Sequence, residues 1–435
     1  MPGTRTMCAT RRARWTRIVR ALVRRVASAR RALARVALAS VSMAGWAPPA
    51  AAQVARQTDA DHYTRYELLA PGSAKFRILY EVTATTAGAT RYYNVIRKGS
   101  VATDERVTDR MTGQPLRFDI VSGAVARAGG VPNADPAGQY IQVTLARPVP
   151  RDGEARLLID KTYEDAASYL AGGDSIVFSR SLGIQRNAVV LPPGYELESV
   201  NYPSQVFAEP DGRVAVSFIN TGIGAVPYVV KGRRAARPAT TPSRGGIAAS
   251  RLAERAHQDR EIVYFLQPPE THAFDLYHDY TESRPGVDKY LNVVRAGSTV
   301  SRPSARILDT GESLATRTLK GSAIGAAGIE IGAPVTPETE VVVIDFPPVK
   351  AGQSVRLRIS ETYTDPARYR LAGDTLVWDR AFGRPANAMV LPAGWALANC
   401  SVPATVSRTD DGRVRLDFVN PRNDEIAVLV TAVRR

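Results

Sequence analysis

An internal repeat constrains this chain more than any other feature of its sequence. Residues 162–220 match residues 362–420 without a gap at an offset of 200, and about 25 of the 59 positions are identical. Upstream the offset changes to 198, as shown by Tyr92 with Tyr290, Asn94 with Asn292 and Gly99 with Gly297. We infer that one unit was copied, so both halves are expected to adopt the same fold.

A change of composition separates the two copies. Residues 234–259 place Pro and Gly among Arg, Ala, Ser and Thr, which is typical of a linker. The predicted organisation is therefore one copy at 60–233, a linker at 234–259 and a second copy at 260–435. Within the linker, Ser250–His257 has the composition for two helical turns, which would make it a semi-rigid spacer.

Short alternating runs predict that both copies are all-β. Lys75–Thr83 and Val355–Ile359 alternate apolar with polar residues, as half-buried strands of an antiparallel sheet do. Helical signals are confined to the short stretches Asp165–Ala171 and Asp365–Leu371. Many short strands with almost no helix predict two tandem β-sandwich domains.

Turn residues recur at equivalent positions of the two copies. An Asp-Gly pair precedes the alternating runs Arg213–Phe218 and Arg413–Phe418, which predicts hairpins with type I′ turns. A Leu-Pro-x-Gly sequence precedes Tyr195 and Trp395, and it suits a type II turn with Gly at its third position.

Most of the positive charge lies in the first 52 residues. The chain has a net charge of +15, and this leader contributes about 11 arginines and no acidic residue. A basic segment, the apolar run Val36–Trp46 and an Ala-rich site before Gln53 predict a signal peptide at 1–52 and a secreted or periplasmic protein. The alternatives are a membrane anchor, for which the run falls short of about 20 residues, and a basic nucleic-acid arm. The remainder carries about +4, so we expect no nucleic-acid partner, and no later stretch is long and apolar enough to cross a membrane.

Repeated polar residues are the first candidates for a shared binding site. Asp165 and Arg180 recur as Asp365 and Arg380, and an arginine fork suits a carboxylate ligand. The alternative is an internal Arg–Asp pair that locks a loop onto the sandwich. Further repeated residues are Asp174, Asn187, Asp374 and Asn387, and their alternative role is to close turns. Two repeated carboxylates also suggest calcium, but no known calcium-loop spacing is present, and we predict no metal and no cofactor.

Repeated aromatic residues are the second candidates. Phe178 corresponds to Trp378, and Tyr195 corresponds to Trp395. Exposed rings at these positions would stack on sugars, whereas buried rings would be ordinary core.

Histidines and catalytic motifs give little support for an enzyme. His272 and His278 lie near Asp275 and Asp279, but their spacing of six matches no common zinc motif, and Tyr80 stands at the position of His278 in the first copy. Nucleophile elbows, zinc-protease helices and phosphate loops are absent from the sequence. We therefore assign no catalytic residue.

One segment resembles a known family. Arg147–Tyr163 and Pro347–Tyr363 share a proline, a small turn and an alternating strand, and this pattern is similar to the N-terminal β domain of zinc aminopeptidases. The resemblance implies a sandwich strand. The zinc helix of that family is absent, so no catalytic residue is carried over.

These observations favour an exported, non-enzymatic protein with two β-sandwich modules that binds or assembles at the cell envelope, since paired modules raise avidity without new chemistry. The expected partner is an unspecified protein or glycan. The alternatives are a pair of carbohydrate-binding modules and a hydrolase near His272 and His278, which requires a pocket that joins a histidine to a carboxylate.

Overall fold

The computed structural model describes residues 54–222, 224–236 and 253–435. The predicted signal peptide and most of the predicted linker lie outside the described residues. The regular secondary structure of the described parts is almost entirely strand, so the all-β prediction is confirmed.

The first half contains fourteen strands and one short helix. In chain order they are β1 (Asp59–Leu68), β2 (Lys75–Ala84), β3 (Arg91–Ile96), β4 (Val101–Asp109), β5 (Phe118–Ser122), α1 (Gly123–Ala128), β6 (Gln139–Thr144), β7 (Ala155–Glu164), β8 (Tyr169–Gly172), β9 (Ser175–Leu182), β10 (Arg186–Val190), β11 (Tyr195–Val200), β12 (Gln205–Ala208), β13 (Val214–Ile219) and β14 (Val226–Arg234).

The second half contains fifteen strands, a short helix and a 3₁₀ turn at Pro269–Thr271. The strands and helix are β15 (Glu261–Leu266), β16 (Ala273–Glu282), β17 (Lys289–Val293), β18 (Thr299–Ile307), β19 (Ser313–Leu314), β20 (Thr316–Lys320), α2 (Ser322–Ala326), β21 (Glu340–Asp345), β22 (Val355–Thr364), β23 (Tyr369–Ala372), β24 (Thr375–Phe382), β25 (Ala386–Val390), β26 (Trp395–Cys400), β27 (Thr405–Arg408), β28 (Val414–Val419) and β29 (Ile426–Arg434).

The strand order is the same in both halves. A large sheet runs β12-β13-β10-β1-β2-β7-β4 in the first half and β27-β28-β25-β15-β16-β22-β18-β19 in the second. A four-stranded sheet runs β11-β14-β9-β8 or β26-β29-β24-β23, and a three-stranded sheet runs β3-β6-β5 or β17-β21-β20. This agreement is what the predicted duplication requires.

One pair in each large sheet departs from the antiparallel expectation. β1 pairs with β10, and β15 pairs with β25, in parallel. Two parallel neighbouring strands need a long connection between them. Here that connection contains all the strands from β2 to β9 in the first half and from β16 to β24 in the second.

Each hydrophobic core lies between the large sheet and the two smaller sheets. In the first half, Phe76 of the large sheet shares one cluster with Phe178 of the four-stranded sheet and Ile141 of the three-stranded sheet. Phe274 and Trp378 occupy the corresponding cluster in the second half. This layering of sheets around one core is that of a β-sandwich.

The short helices cover the outer face of the three-stranded sheets. Ala126 of α1 packs with Tyr93 and Tyr140, and Ile324 of α2 packs with Val343. The sequence predicted neither helix. Across the described ranges, the structure contains no helix with the length and apolar character needed to cross a bilayer.

The Asp-Gly hairpins form at the predicted positions with a different turn. Glu209 N donates to Arg213 O at 2.8 Å, so the loop holds three residues rather than two. Gly212 has φ 84° and Gly412 has φ 81°, whereas φ is not positive at Asp211. A type I turn followed by a left-handed glycine fits this loop length, so the prediction of a type I′ turn was wrong. The type II prediction is confirmed by Gly194, at φ 77°, in the turn before Tyr195.

The two halves meet through a buried ion pair. Residues 54–435 form one compact unit. Arg156 Nε and Nη2 of the first half each donate to an Asp309 carboxylate oxygen of the second half at 2.8 Å, and both side chains are buried. Beside them, Glu154 N donates to Leu308 O at 2.9 Å. Backbone and side-chain bonds therefore hold the halves together at one edge.

Candidate functional site

The repeated Asp and Arg residues form an internal brace in each half. Arg180 Nη1 donates to Asp165 Oδ2 at 3.0 Å, and Arg380 Nη1 donates to Asp365 Oδ2 at 3.1 Å. All four side chains are buried, and each guanidinium lies over core aromatic rings. The predicted helical stretch is a single turn in which Tyr169 N donates to Asp165 O at 3.0 Å. The bracing interpretation therefore fits this geometry.

A cavity lies next to the brace of the first half, and an arginine side chain takes the corresponding place in the second half. It measures about 270 Å³ and reaches Asp165, Ser168 and Arg180. Arg368 stands at the position of Ser168 in the second half, and its Nη1 lies 3.4 Å from Asp365 Oδ2. Because a large side chain occupies this place in one copy only, the shared brace does not mark a shared ligand site.

The remaining repeated polar residues serve turns and the surface. Asn187 Nδ2 donates to Ile184 O at 2.7 Å, and Asn387 Nδ2 donates to Arg384 O at 2.8 Å. Asp174 is exposed and lies 3.4 Å from Arg234.

The aromatic candidates are core residues, which corrects the sugar-platform prediction. Phe178 and Trp378 are fully buried, and Tyr195 and Trp395 are each 6 % exposed. A fully buried ring offers no surface for a sugar, because stacking needs an accessible face. Trp395 lines a cavity of about 600 Å³, and the guanidinium of Arg434 already lies over its ring.

The two histidines of the hydrolase alternative lie at different places along the chain, one just before β16 and one inside it. His272 ends the 3₁₀ turn before β16, and its Nδ1 lies 3.0 Å from Tyr369 O. His278 is inside β16 and is buried. Of the two, His278 lines a pocket with carboxylates, those of Glu361 and Glu425. In the described ranges, no three His, Cys, Asp or Glu side chains come together as metal ligands do.

This pocket of the second half, the Arg–His pocket, is the strongest candidate site. It is a cavity of about 440 Å³ between β16, β17, β22 and β24 and the end of the predicted linker. Its charged and polar wall consists of Arg255, Gln258, Arg260, His278, Asn292, Arg295, Glu361, Arg380, Arg384, Asn387, Asn423 and Glu425. Five arginines face two carboxylates, so the wall carries a surplus of positive charge.

His278 offers a hydrogen-bond donor to the pocket. Its Nδ1 is hydrogen-bonded to Arg384 Nη2, and an arginine can only donate, so Nδ1 accepts. The ring proton then lies on Nε2, which has no partner among the described residues. Burial, with Arg384 and Arg260 nearby, holds the pKa of His278 well below its usual value, so the ring is neutral.

Glu361 lies beside this histidine in the same wall. Asn292 Nδ2 donates to its two carboxylate oxygens at 2.9 and 2.7 Å. Burial raises the pKa of Glu361 to about 7, although the bond from Asn292 opposes this shift. The carboxyl group is therefore partly neutral near pH 7 and already has a partner.

The strap, defined as residues 253–260, forms one wall of the pocket and joins the halves. Arg255 Nη2 donates to Gly383 O of the second half at 3.0 Å. Toward the first half, Tyr63 Oη donates to Glu254 Oε1 at 2.9 Å, and Arg186 Nη1 donates to Ala256 O at 3.0 Å. The described end of the predicted linker is thus packed against both halves. It contains a turn at residues 255–257, and the first part of the predicted helical stretch Ser250–His257 lies outside the described residues.

The first half is built differently at the same position. Lys161 takes the place of Glu361, and its Nζ donates to Asn94 Oδ1 at 2.6 Å. Tyr80 takes the place of His278 and belongs to the hydrophobic core, where Ile184 packs against it at the position of Arg384. Burial lowers the pKa of Lys161 to about 7. The polar pocket wall is therefore a feature of the second half.

The sequence analysis missed most of this site. It proposed His278 and did not consider Glu361, Arg384 or the arginines of the strap. The available signal was a difference between the copies: where the first copy has Tyr80, Lys161 and Ile184, the second has His, Glu and Arg.

Comparisons with known proteins leave the family open. The sequence matches no family model and no curated protein. Among solved structures, an M1 zinc metallopeptidase from Deinococcus radiodurans is similar at 11 % identity and a TM-score of 0.28, over 41 % of this chain and 42 % of that one. An aminopeptidase N family protein from Idiomarina loihiensis is similar at 10 % identity and a TM-score of 0.24, over 40 % of this chain and 29 % of that one.

A collagen adhesin from S. aureus is similar over 75 % of this chain and 84 % of that one, at 7 % identity and a TM-score of 0.16. This chain spans less than half the length of the metallopeptidase it matches. Similarities at these TM-scores support no inference about activity, and they do not extend the sequence resemblance to zinc aminopeptidases.

Proposed function

We propose that this chain is an exported, non-enzymatic binding protein of the cell envelope, and that its second half binds a small ligand in the Arg–His pocket. One observation carries the proposal. Three donor atoms in the pocket wall, His278 Nε2, Arg260 Nε and Arg384 Nη1, are buried without a hydrogen-bond partner among the described residues. An unpaired buried donor costs about 1 to 3 kcal/mol, and a ligand that accepts these bonds recovers that energy.

The copies supply a matched control for this proposal. The double variant His278→Tyr with Arg384→Ile installs the first-half residues in the second half. Small molecules and envelope glycans are screened by thermal shift on the full chain. We expect a ligand found in this way to raise the Tm of the unsubstituted chain, whereas adding the same ligand to the double variant should not change the Tm of that variant. Equal shifts in the two proteins would place binding elsewhere and refute the proposal.

Export is a separate part of the proposal and rests on the basic leader, the apolar run and the Ala-rich site. We expect the protein recovered outside the cytoplasm to begin at Gln53 when its N-terminus is sequenced. Recovery of the whole leader on exported protein would contradict cleavage at this site.

A hydrolase remains a second candidate because His278 and Glu361 line one cavity, as that alternative requires. A carboxyl group with a pKa near 7 suits acid–base catalysis at neutral pH. This candidate predicts turnover of generic ester or amide substrates that Glu361→Gln abolishes. The binding proposal predicts no turnover with or without this substitution.

A further inference from the structure

The Arg–His pocket also indicates what its ligand is made of. This inference rests on the proposed function, because it concerns the occupant of the same site. The question is which groups in the wall remain available after the contacts within the protein are counted.

The acceptors of Glu361 and His278 already have hydrogen-bond partners, and the charge of Glu425 is paired. Both carboxylate oxygens of Glu361 accept from Asn292, at 2.9 and 2.7 Å. Glu425 Oε1 lies 3.5 Å from Arg295 Nη2, so its charge is paired. His278 Nδ1 accepts from Arg384. Glu361 and His278 therefore offer an occupant no unpaired acceptor atom, and Arg295 balances the negative charge of Glu425.

The donors, in contrast, are unpaired. His278 Nε2, Arg384 Nη1 and Arg260 Nε have no hydrogen-bond partner in the described part of the chain. They stand on three parts of the chain, since His278 lies in β16, Arg260 belongs to the strap and Arg384 lies between β24 and β25. A group that reaches them must supply several acceptor lone pairs at once.

The charges of the wall favour the same kind of group. Arg380 is paired with Asp365, and Arg295 is paired with Glu425. Arg260 and Arg384 have no ion pair within hydrogen-bonding distance among the described residues. Arg384 Nη2 is hydrogen-bonded to the neutral ring of His278, and its charge also acts on the buried carboxyl group of Glu361. Two guanidinium groups without a directly bonded carboxylate at a cavity attract negative charge.

We propose that the Arg–His pocket binds an oxyanion, either the carboxylate or the phosphate or sulfate group of a small molecule, with His278 Nε2, Arg384 and Arg260 as donors. The planar arginine fork can pair two oxygens of such a group. The first half lacks this capacity, because Tyr80 and Ile184 replace two of the three donors.

The test is isothermal titration calorimetry on the full chain with inorganic phosphate, sulfate, succinate and, as a neutral probe, glucose. We expect at least one anion to bind, and Arg384→Met to weaken it about tenfold or more, since a charge-assisted bond is lost. Phosphate and succinate separate the tetrahedral from the planar form of the ligand. Arg233→Met removes an equal charge from an exposed side chain of the first half, and it should leave the affinity unchanged.

A second variant guards against misfolding. Arg295 lines the pocket and is one-third exposed, so the variant Arg295→Met should fold normally. It should weaken anion binding by a smaller factor than Arg384→Met does. If glucose binds, no anion binds, and Arg384→Met weakens the binding of glucose, the oxyanion assignment is overturned. The proposed function would stand in that case. Binding of neither type of probe, together with a negative ligand screen, would overturn both.

Discussion

The two halves of this molecule share their braces and differ most clearly in the wall of one pocket. Asp165 with Arg180 and Asp365 with Arg380 form the same buried pair in each sandwich. Where the first half buries Lys161 beside Asn94, the second half buries Glu361 beside Asn292, with His278 next to Arg384. Residues that are identical in the two copies can therefore be the ones that stabilise the shared fold. Residues that differ between the copies can indicate a site that only one copy has.

The largest effect should come from the buried lysine. The pKa of Lys161 is about 7 in the folded chain, against 10.5 for a free side chain. Between these values the unfolded chain binds more protons, so the free energy of unfolding rises with pH, by up to about 5 kcal/mol. We expect Lys161→Met to lose this rise in urea unfolding between pH 7 and pH 10.5. A parallel pH profile in the variant would show that Lys161 titrates normally.

The braces should respond almost equally in the two halves. Asp165→Asn and Asp365→Asn each leave a buried arginine without its counter-charge, and we expect each to lower the free energy of unfolding by about 3 to 4 kcal/mol. Chemical unfolding of both variants measures this loss. If one substitution were tolerated within about 0.5 kcal/mol, a normal effect for surface positions, that half would not depend on its brace.

The buried glutamate should show the opposite pH trend to the lysine. The folded pKa of Glu361 is about 7, against 4.5 for a free side chain. Between these values Glu361 holds more protons in the folded chain than in the unfolded chain. The stability that this group contributes is therefore fully present below pH 4.5 and falls by about 3 kcal/mol as the pH rises through 7. We expect Glu361→Gln to remove this fall. If wild type and variant kept a constant difference across pH 4.5 to 7, the carboxyl group would be ionised normally in the pocket.

The smallest effect concerns the strap that connects the two regions. Tyr63→Phe removes the 2.9 Å bond to Glu254 and should lower the free energy of unfolding by about 1 kcal/mol. Because the strap also carries Arg255 and Arg260, the same variant should weaken anion binding although Tyr63 does not line the pocket. Unchanged affinity would show that the pocket wall holds its shape without this anchor.

The sequence predicted the strands well because alternation and turn chemistry are local. Lys75–Thr83 became β2 almost residue for residue, and Gly194 took the left-handed conformation that its turn requires. The parallel pairs were not predictable, since they depend on where the chain returns after several strands. The strap was not predictable either, because its packing depends on Tyr63 and Arg186, which are distant in sequence.

The candidate site was only partly predictable for a related reason. His278 stood out as a rare residue, but Glu361 and Arg384 lie about 80 and 100 positions later, and pleating and register bring them to one wall. The search for residues shared by both copies selected Asp165, Arg180 and their equivalents, which are braces. The aromatic candidates failed because large rings after tight turns pack inward.

The most direct test of the Arg–His pocket as an oxyanion site is the imidazole ¹H–¹⁵N NMR spectrum of the full chain during a phosphate or succinate titration. The chain has only four histidines, so His62, His257 and His272 serve as internal controls. We predict a neutral His278 ring with its proton on Nε2, and a saturable shift of the His278 signals alone when the anion is added. A protonated His278, or an anion that shifts the control histidines and leaves His278 unmoved, would contradict the account.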